Sequence, residues 1–247
     1  MPLGHLAVIG GTGLNDLSDL EITGQEKVTT PYGEASAPLV RGRLADKPLV
    51  FLARHGEGHR IPPHAINYRA NIQALKQAGV QAVIAVAAVG GIREDMVPGS
   101  VALPDQIIDY SWGRSHSFYD GSDGGLEHIE FDPPYDESLR QSLLDAAVQA
   151  GIDLIPDGTY GCTQGPRLET AAEIRRMRQD GCDIVGMTGM PEAALAREAG
   201  LAYACLAVNV NWAAGLGAPG EGIHDQIQQA LETGMDKARQ LLRAICR

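Results

Sequence analysis

The stretch Ala82-Val-Ile-Ala-Val-Ala-Ala-Val89, closed by Gly90-Gly91, decides the fold. An unbroken run of small apolar residues has neither a wet face nor a helical stripe. It is expected of a central strand covered on both sides, which is the situation of a parallel sheet. Working outward, apolar runs and helical patterns alternate. Leu6-Ala-Val-Ile9 ends in the tight Gly10-Gly-Thr-Gly13 loop, and Leu49-Val-Phe-Leu-Ala53 leads into Arg54-His-Gly56. Residues from about Ala65 to Ala78 read as a helix stopped by Gly79. Asp136 caps another, with Leu139, Leu143, Leu144 and Ala147 on one face. Three β-then-helix units follow: 158–162 with a helix from Glu169, 184–187 with a helix opening at Pro191, and 203–210 with a final helix over about Ile223 to Ile245. Pro191 suits a first helical position, where its missing N–H costs nothing. With no repeat or linker, residues 1–247 read as one α/β domain, a largely parallel central sheet flanked by helices.

Composition excludes several classes. Of 247 residues 44% are hydrophobic and 21% charged, ordinary for a folded chain, and the net charge is −11. That much negative charge repels nucleic acid and anionic membrane, leaving small molecules as the expected partners. Cys162, Cys182, Cys205 and Cys246 form no CxxC pair, which argues against a zinc knuckle or a disulfide framework and suits a reducing cytoplasm. No signal-like segment precedes the strand at His5–Ile9, and no apolar stretch approaches the ~20 residues of a membrane span. A soluble cytoplasmic protein is expected.

In such sheets ligands bind beyond the carboxyl ends of the strands. Thr12, Arg54 with His55, Ala87 with Ala88, Glu169, Met187 with Thr188, and Asn211 all fall where a strand runs out. The glycine loop with Thr12 offers backbone N–H groups and a hydroxyl to a phosphate, or is a bare turn. As a dinucleotide fingerprint it fails, because Asp16 replaces the third glycine. Arg54 supplies a fork of donors for an oxyanion and His55 another; the alternative is a surface ion pair. His55, His59 and His64 lack a carboxylate or cysteine to complete a metal site. Glu169 is either a first-turn carboxylate favoured by the helix dipole or an acceptor for a ring N–H. Met187 reads as core or contact. Of Asn209 and Asn211, one can brace a loop while the other reads a ligand.

Gly10-Gly-Thr-Gly13, Ala53-Arg-His-Gly56, Asn67-Tyr-Arg-Ala-Asn71, Gly165-Pro-Arg-Leu-Glu169 and Val185-Gly-Met-Thr-Gly-Met-Pro-Glu192 together resemble the trimeric purine nucleoside phosphorylase and methylthioadenosine phosphorylase family, from Gly10 to the final helix. The second, third and last motifs favour the methylthionucleoside branch. The resemblance implies that phosphate is held by Thr12, Arg54, His55, the Ala88 backbone and Thr188, and that Met187 lies against ribose. Leu168 stands where an aromatic residue packs under the base. Ala87 stands where methylthioadenosine enzymes often carry a threonine. Adenine-specific members read the base with a Thr-Asp-x-Asp pattern, whereas this chain has Val210-Asn-Trp-Ala213, with Asn211 for the first aspartate and Ala213 for the second.

That exchange has a physical meaning. Adenine offers an exocyclic NH₂, which a carboxylate accepts; hypoxanthine and guanine offer a 6-oxo acceptor, which an amide NH₂ satisfies. Their N1–H is a donor, suited to Glu169. Phosphorolysis of a 6-oxopurine nucleoside is therefore the expected activity, methylthioinosine, inosine and guanosine being candidates and methylthioadenosine phosphorolysis the alternative. Phosphate is the nucleophile, so no metal or organic cofactor is expected. Asn211 and His55 are the expected catalytic groups, and Arg54 is expected to be removable without loss of the fold. The resemblance also implies a homotrimer in which His128, in Glu127-His-Ile129, reaches a neighbour's site. His224 falls where ordinary nucleoside phosphorylases bind the 5′-hydroxyl, and Ile227 keeps part of that wall apolar. Two other classes compete. A nicotinamide dehydrogenase lacks an acidic ribose-binding residue within 21–35; a silent nucleoside-binding protein would need no phosphate site.

Overall fold

The computed structural model describes residues 5–14, 17, 19–121, 125–217 and 223–247, without the side chains of 223–227. In chain order come β1 (Leu6–Gly10), β2 (Glu21–Glu26), a short hairpin of β3 (Thr29–Thr30) and β4 (Gly33–Glu34), then β5 (Leu39–Leu44) and β6 (Lys47–Ala53). Helix α1 (Tyr68–Gln77) leads into β7 (Ala82–Gly91), followed by β8 (Val101–Ala102) and β9 (Gln106–Asp109). Helices and strands then alternate: α2 (Glu137–Ala150), β10 (Thr159–Cys162), α3 (Ala171–Gln179), β11 (Ile184–Gly186), α4 (Gly189–Glu198), β12 (Ala202–Trp212) and α5 (Ile223–Ile245).

β7 is the axis of the sheet, as its composition predicts. Val83, Ala85, Ala87 and Val89 pack into a core cluster with Ile72, Leu75 and Leu195 from α1 and α4. Ala82, Ile84 and Val86 pack on the other face with Leu139, Leu143, Leu241 and Leu242 from α2 and α5. Alternate residues thus face opposite layers, and both layers are dry. β7 pairs in parallel with β1 and with β12, β1 with β6, and β10 with β9 and β11. The β2–β5–β6 ribbon and the β11–β7 and β12–β8 contacts are antiparallel, so the sheet is mixed and largely parallel.

The β2–β5 ribbon is absent from the sequence reading. β2 is nearly all exposed, so its residues carry no alternation of apolar and polar positions to reveal a strand. Helix α1 begins at Tyr68 instead of Ala65, because Pro62 and Pro63 introduce a single 3₁₀ turn over Pro63–Ala65 and Asn67 then caps the helix, its side-chain oxygen accepting from Ala70 N–H at 3.1 Å. Asp136 caps α2 as expected, accepting from Leu139 N–H at 2.8 Å. The first-turn reading of Glu169 is corrected. Thr170 is the cap of α3 and Glu173 closes the capping box, so Glu169 lies outside the helix altogether. In α4, Met190 is non-helical, and regular helix runs from Pro191.

Candidate functional site

A discontinuity beside β7 creates the site. On one edge β1 accompanies β7 only as far as Ala85, and β11 joins that edge only at Gly90. Between them no strand among the described residues flanks this edge. Successive residues of a strand present their N–H and C=O to opposite sides. The Gly91 carbonyl accepts from Ala213 N–H on the β12 side, so Val86 and Ala88 turn theirs toward the open edge. Into this gap opens a cavity of about 470 Å³, placed where open α/β sheets bind ligands. Thr12, Arg54, His55, Ala87, Ala88, Leu168, Glu169, Met187, Thr188 and Asn211 all line it. Residues scattered over two hundred positions are brought together because each lies near the carboxyl end of a strand or in the loop beyond it.

Arg54 fills the base of the gap. Its Nη1 donates to the Val86 carbonyl at 3.0 Å, while Nε and Nη2 donate to the two carboxylate oxygens of Glu192 at 2.6 and 2.8 Å. Only 1% of Arg54 and none of Glu192 is exposed. Burial disfavours the guanidinium charge, but the Glu192 carboxylate outweighs it and raises the Arg54 pKa, so the pair is ionic. The ion-pair reading of Arg54 is thus half right: the pair exists, but in the interior. Removing Arg54 therefore carries a stability cost that the sequence did not show, since its loss strands a buried carboxylate. Gly11 makes this packing possible. A Cβ there would lie 2.7 Å from the Val86 carbonyl oxygen and 2.8 Å from Arg54 Nη1.

His55 Nδ1 lies 2.8 Å from the Ile61 carbonyl, which requires the proton on Nδ1. Burial first, then the neighbouring Arg54 charge, lowers its pKa to about 4. At neutral pH the ring is uncharged, with Nε2 as an acceptor. That corrects the expectation of a second donor: a ring in this state can only accept, from a protonated oxygen, at Nε2.

Thr188 stands at the start of α4 with no side-chain capping bond, so its hydroxyl is not committed to the helix. Its backbone N–H donates to the Tyr160 hydroxyl at 3.4 Å. A Cβ at Gly186 would overlap that hydroxyl, and one at Gly189 would lie 2.9 Å from Ile107 and 3.2 Å from the Tyr160 ring. The Gly-Met-Thr-Gly sequence therefore wraps a buried tyrosine, and Tyr160 shapes the loop. Met187 packs over Gly165, where a Cβ would come within 2.5 Å of its sulfur.

At the opposite end, Glu169 is held by the Thr163 hydroxyl, which donates to Oε1 at 2.7 Å. Asn211 follows a register shift in the β12–β7 ladder, a bulge that redirects the strand end into the cavity. Its Nδ2 donates to the Trp212 carbonyl at 2.6 Å. This bond fixes which end of the amide is nitrogen, leaving one N–H and Oδ1 for a ligand. Asn209 is the structural one of the two, fully buried with Nδ2 donating to Ser100 Oγ at 2.9 Å. Leu168 is 49% exposed and lines the cavity, an apolar surface open to it.

Other expected residues fall elsewhere. His128 is exposed in the 125–130 segment and does not line the cavity of its own chain. His224 and Ile227 belong to α5, but their side chains lie outside the described residues. Sequence reasoning missed Glu192, Tyr160 and Arg114. Arg114, 9% exposed, donates to the carbonyls of Thr163, Gln164, Met187 and Met190, so it ties together the strand ends carrying Glu169 and Thr188. Inside a long polar loop nothing marks such a residue, whereas Glu192 was visible as a carboxylate within the apolar first half of α4.

Residues 5–247 match the family model described as the phosphorylase superfamily, and the chain belongs to that superfamily. It is 55% identical over 212 residues, 86% of this chain and 85% of the relative, to a probable S-methyl-5′-thioinosine phosphorylase of Xanthomonas campestris. It is 48% identical, over 86% of this chain and 81% of the relative, to the 6-oxopurine nucleoside phosphorylase of Pyrococcus furiosus. Among solved structures, the methylthioadenosine phosphorylase of Schistosoma mansoni in complex with adenine superposes with a TM-score of 0.92 at 33% identity, covering 98% of this chain and 90% of that one. The fold and the enzyme class expected from the sequence are those of these relatives. No helix among the described residues is long and apolar enough to cross a membrane.

Proposed function

We propose that the enzyme carries out phosphorolysis of 6-oxopurine nucleosides, releasing the free base and a ribose 1-phosphate or 5-methylthioribose 1-phosphate. The observation that carries this reading is the pairing of an amide with a carboxylate at the base end of the cavity. Asn211, its amide oriented by the Trp212 carbonyl, has an N–H to give O6 and an oxygen that can accept from N7 once N7 has gained a proton. Glu169, fixed by Thr163, can accept from N1–H. The names of the thioinosine and 6-oxopurine relatives agree with this polarity.

Phosphate would lie among Thr12, Arg54, His55, the Ala88 N–H and Thr188, below C1′ of a sugar resting on Met187. As the C1′–N9 bond breaks, its electron pair passes into the purine ring while a phosphate oxygen bonds to C1′. The phosphate charge stabilises the oxocarbenium-like sugar. As negative charge gathers on the departing base, the Asn211 N–H bond to O6 strengthens, and once N7 has taken a proton from solvent the Asn211 oxygen accepts from it. No cofactor enters this scheme, because phosphate is the co-substrate. The active assembly is proposed to be a homotrimer in which His128 of one subunit approaches the site of the next.

The test is a substrate panel of inosine, guanosine, adenosine and their 5′-methylthio forms, with and without phosphate. Hypoxanthine release that requires phosphate, with kcat/KM well above that for adenine nucleosides, is the expected result. Equal kcat/KM for methylthioinosine and methylthioadenosine would refute the base assignment. Activity without phosphate would refute phosphorolysis.

A further inference from the structure

The groups expected to surround phosphate do not supply the net positive charge that a dianion needs. Arg54 is neutralised within 3 Å by Glu192, and His55 is an uncharged ring with Nδ1 engaged. The His59 ring lies beside it, 4.3 Å between centroids, and its pKa is also lowered, by burial first and then by Arg54. Glu169 adds a negative charge at the far end of the same cavity. The Arg114 guanidinium lies behind Met187, engaged with backbone carbonyls and the Tyr68 hydroxyl. A protein of net charge −11 thus surrounds an anion site whose nearest charges cancel.

Among the described residues one cation lining the cavity remains. Arg60 is exposed and has no hydrogen bond or ion pair among the described residues. The chain carries it back to the cavity by a closed loop. Gly56, Gly58 and His59 have φ of +73°, +70° and +55°, a left-handed path that doubles the backbone on itself. Ile61 N–H donates to the His55 carbonyl at 2.9 Å, and His55 Nδ1 donates to the Ile61 carbonyl, so the two ends of the loop are bonded to each other. The Arg60 side chain runs back alongside Gly58, its Nε 3.4 Å from where a Cβ there would lie, an ordinary contact. A locked loop that ends in an unpartnered guanidinium at the cavity mouth is a built feature.

We infer that Arg60 is the residue whose uncommitted charge draws inorganic phosphate into the cavity and offsets its negative charge there. The inference rests on the phosphorolysis reading for its assay, and on loop geometry for its substance. Because Arg60 is exposed, its attraction for a dianion is screened by salt and is worth about five- to tenfold in phosphate affinity at low ionic strength.

The test varies phosphate at saturating nucleoside, at low and at high KCl, for the full-length wild type, Arg60→Gln and Arg60→Lys. Arg60→Gln should raise the phosphate KM about five- to tenfold at low salt and much less at high salt. The kcat at saturating phosphate and the nucleoside KM should stay within about twofold, and Arg60→Lys should resemble the wild type, since charge rather than fork geometry acts at this range. An unchanged phosphate KM in Arg60→Gln would overturn the inference, as would an equal loss in Arg60→Lys. A rise in the nucleoside KM instead would place Arg60 on the sugar and also overturn it. If the wild type shows no phosphorolysis, the functional reading fails by itself. Calorimetric titration with inorganic phosphate then decides Arg60: weaker binding by Arg60→Gln supports the inference, and equal binding overturns it.

Discussion

Removing Arg54 should cost stability before it costs catalysis. Arg54→Ala leaves the Glu192 carboxylate fully buried, with the Tyr203 hydroxyl at 2.8 Å from Oε1 as its remaining donor. Breaking a buried pair by deleting one partner costs about 3–5 kcal/mol. Here the low end applies, about 3 kcal/mol, because Arg54 borders an open cavity and water can enter the space it vacates. Against a total stability of roughly 5–15 kcal/mol that is a large fraction. Urea unfolding measures it, at one fixed protomer concentration so that any subunit association contributes equally. The midpoint should fall while the slope stays constant. Arg54→Met combined with Glu192→Leu should recover much of the loss, because no charge is then left unpaired. An Arg54→Ala midpoint within about 0.5 kcal/mol of wild type would refute the reasoning, as would a double variant whose loss equals the sum of the single ones. Phosphate kinetics of Arg54→Ala are informative only once this loss is known.

Asn211→Asp should shift preference toward adenine nucleosides, read as the ratio of kcat/KM for methylthioadenosine and methylthioinosine. The shift should be partial, because an aspartate oxygen in place of Nδ2 would face the Trp212 carbonyl at 2.6 Å and must turn away from it. His55 should make the protein acid-sensitive. Its folded pKa, about 4, lies below the ordinary histidine value of 6.5, so its contribution is complete above 6.5 and is lost as pH falls through 4. Replacing it with Gln should remove that part of the pH dependence, on the order of 2–3 kcal/mol, in urea midpoints measured between the two values; an unchanged profile would show that His55 does not titrate in this way. Gly186→Ala should displace the Tyr160 hydroxyl and with it Thr188, raising the phosphate KM more than the nucleoside KM. A variant with normal phosphate kinetics would show that the loop tolerates the shift.

Much of the fold was legible along the chain. The buried run 82–89, the Asp136 cap and the span of the last helix depend on residues within a few positions of one another, and periodicity and capping are short-range chemistry. Most of the cavity residues were legible too, because they lie at or just beyond strand ends, which converge in an open α/β sheet. The antiparallel ribbon of β2 and β5 was not, since an exposed strand shows no apolar alternation. Nor were the states of the site residues. Arg54 and Glu192 are 138 positions apart, and nothing local in either segment reports that the other will neutralise it. The single proton of His55 is set by the Ile61 carbonyl, and the orientation of Asn211 by a bulge beside β7. The sequence by itself determined the buried strands, the capped helices and most of the side chains that reach the cavity, because local pattern specifies them. Only the tertiary structure decided which of those side chains remain charged, which donate and which accept, because desolvation and pairing depend on neighbours that folding alone brings within 3 Å.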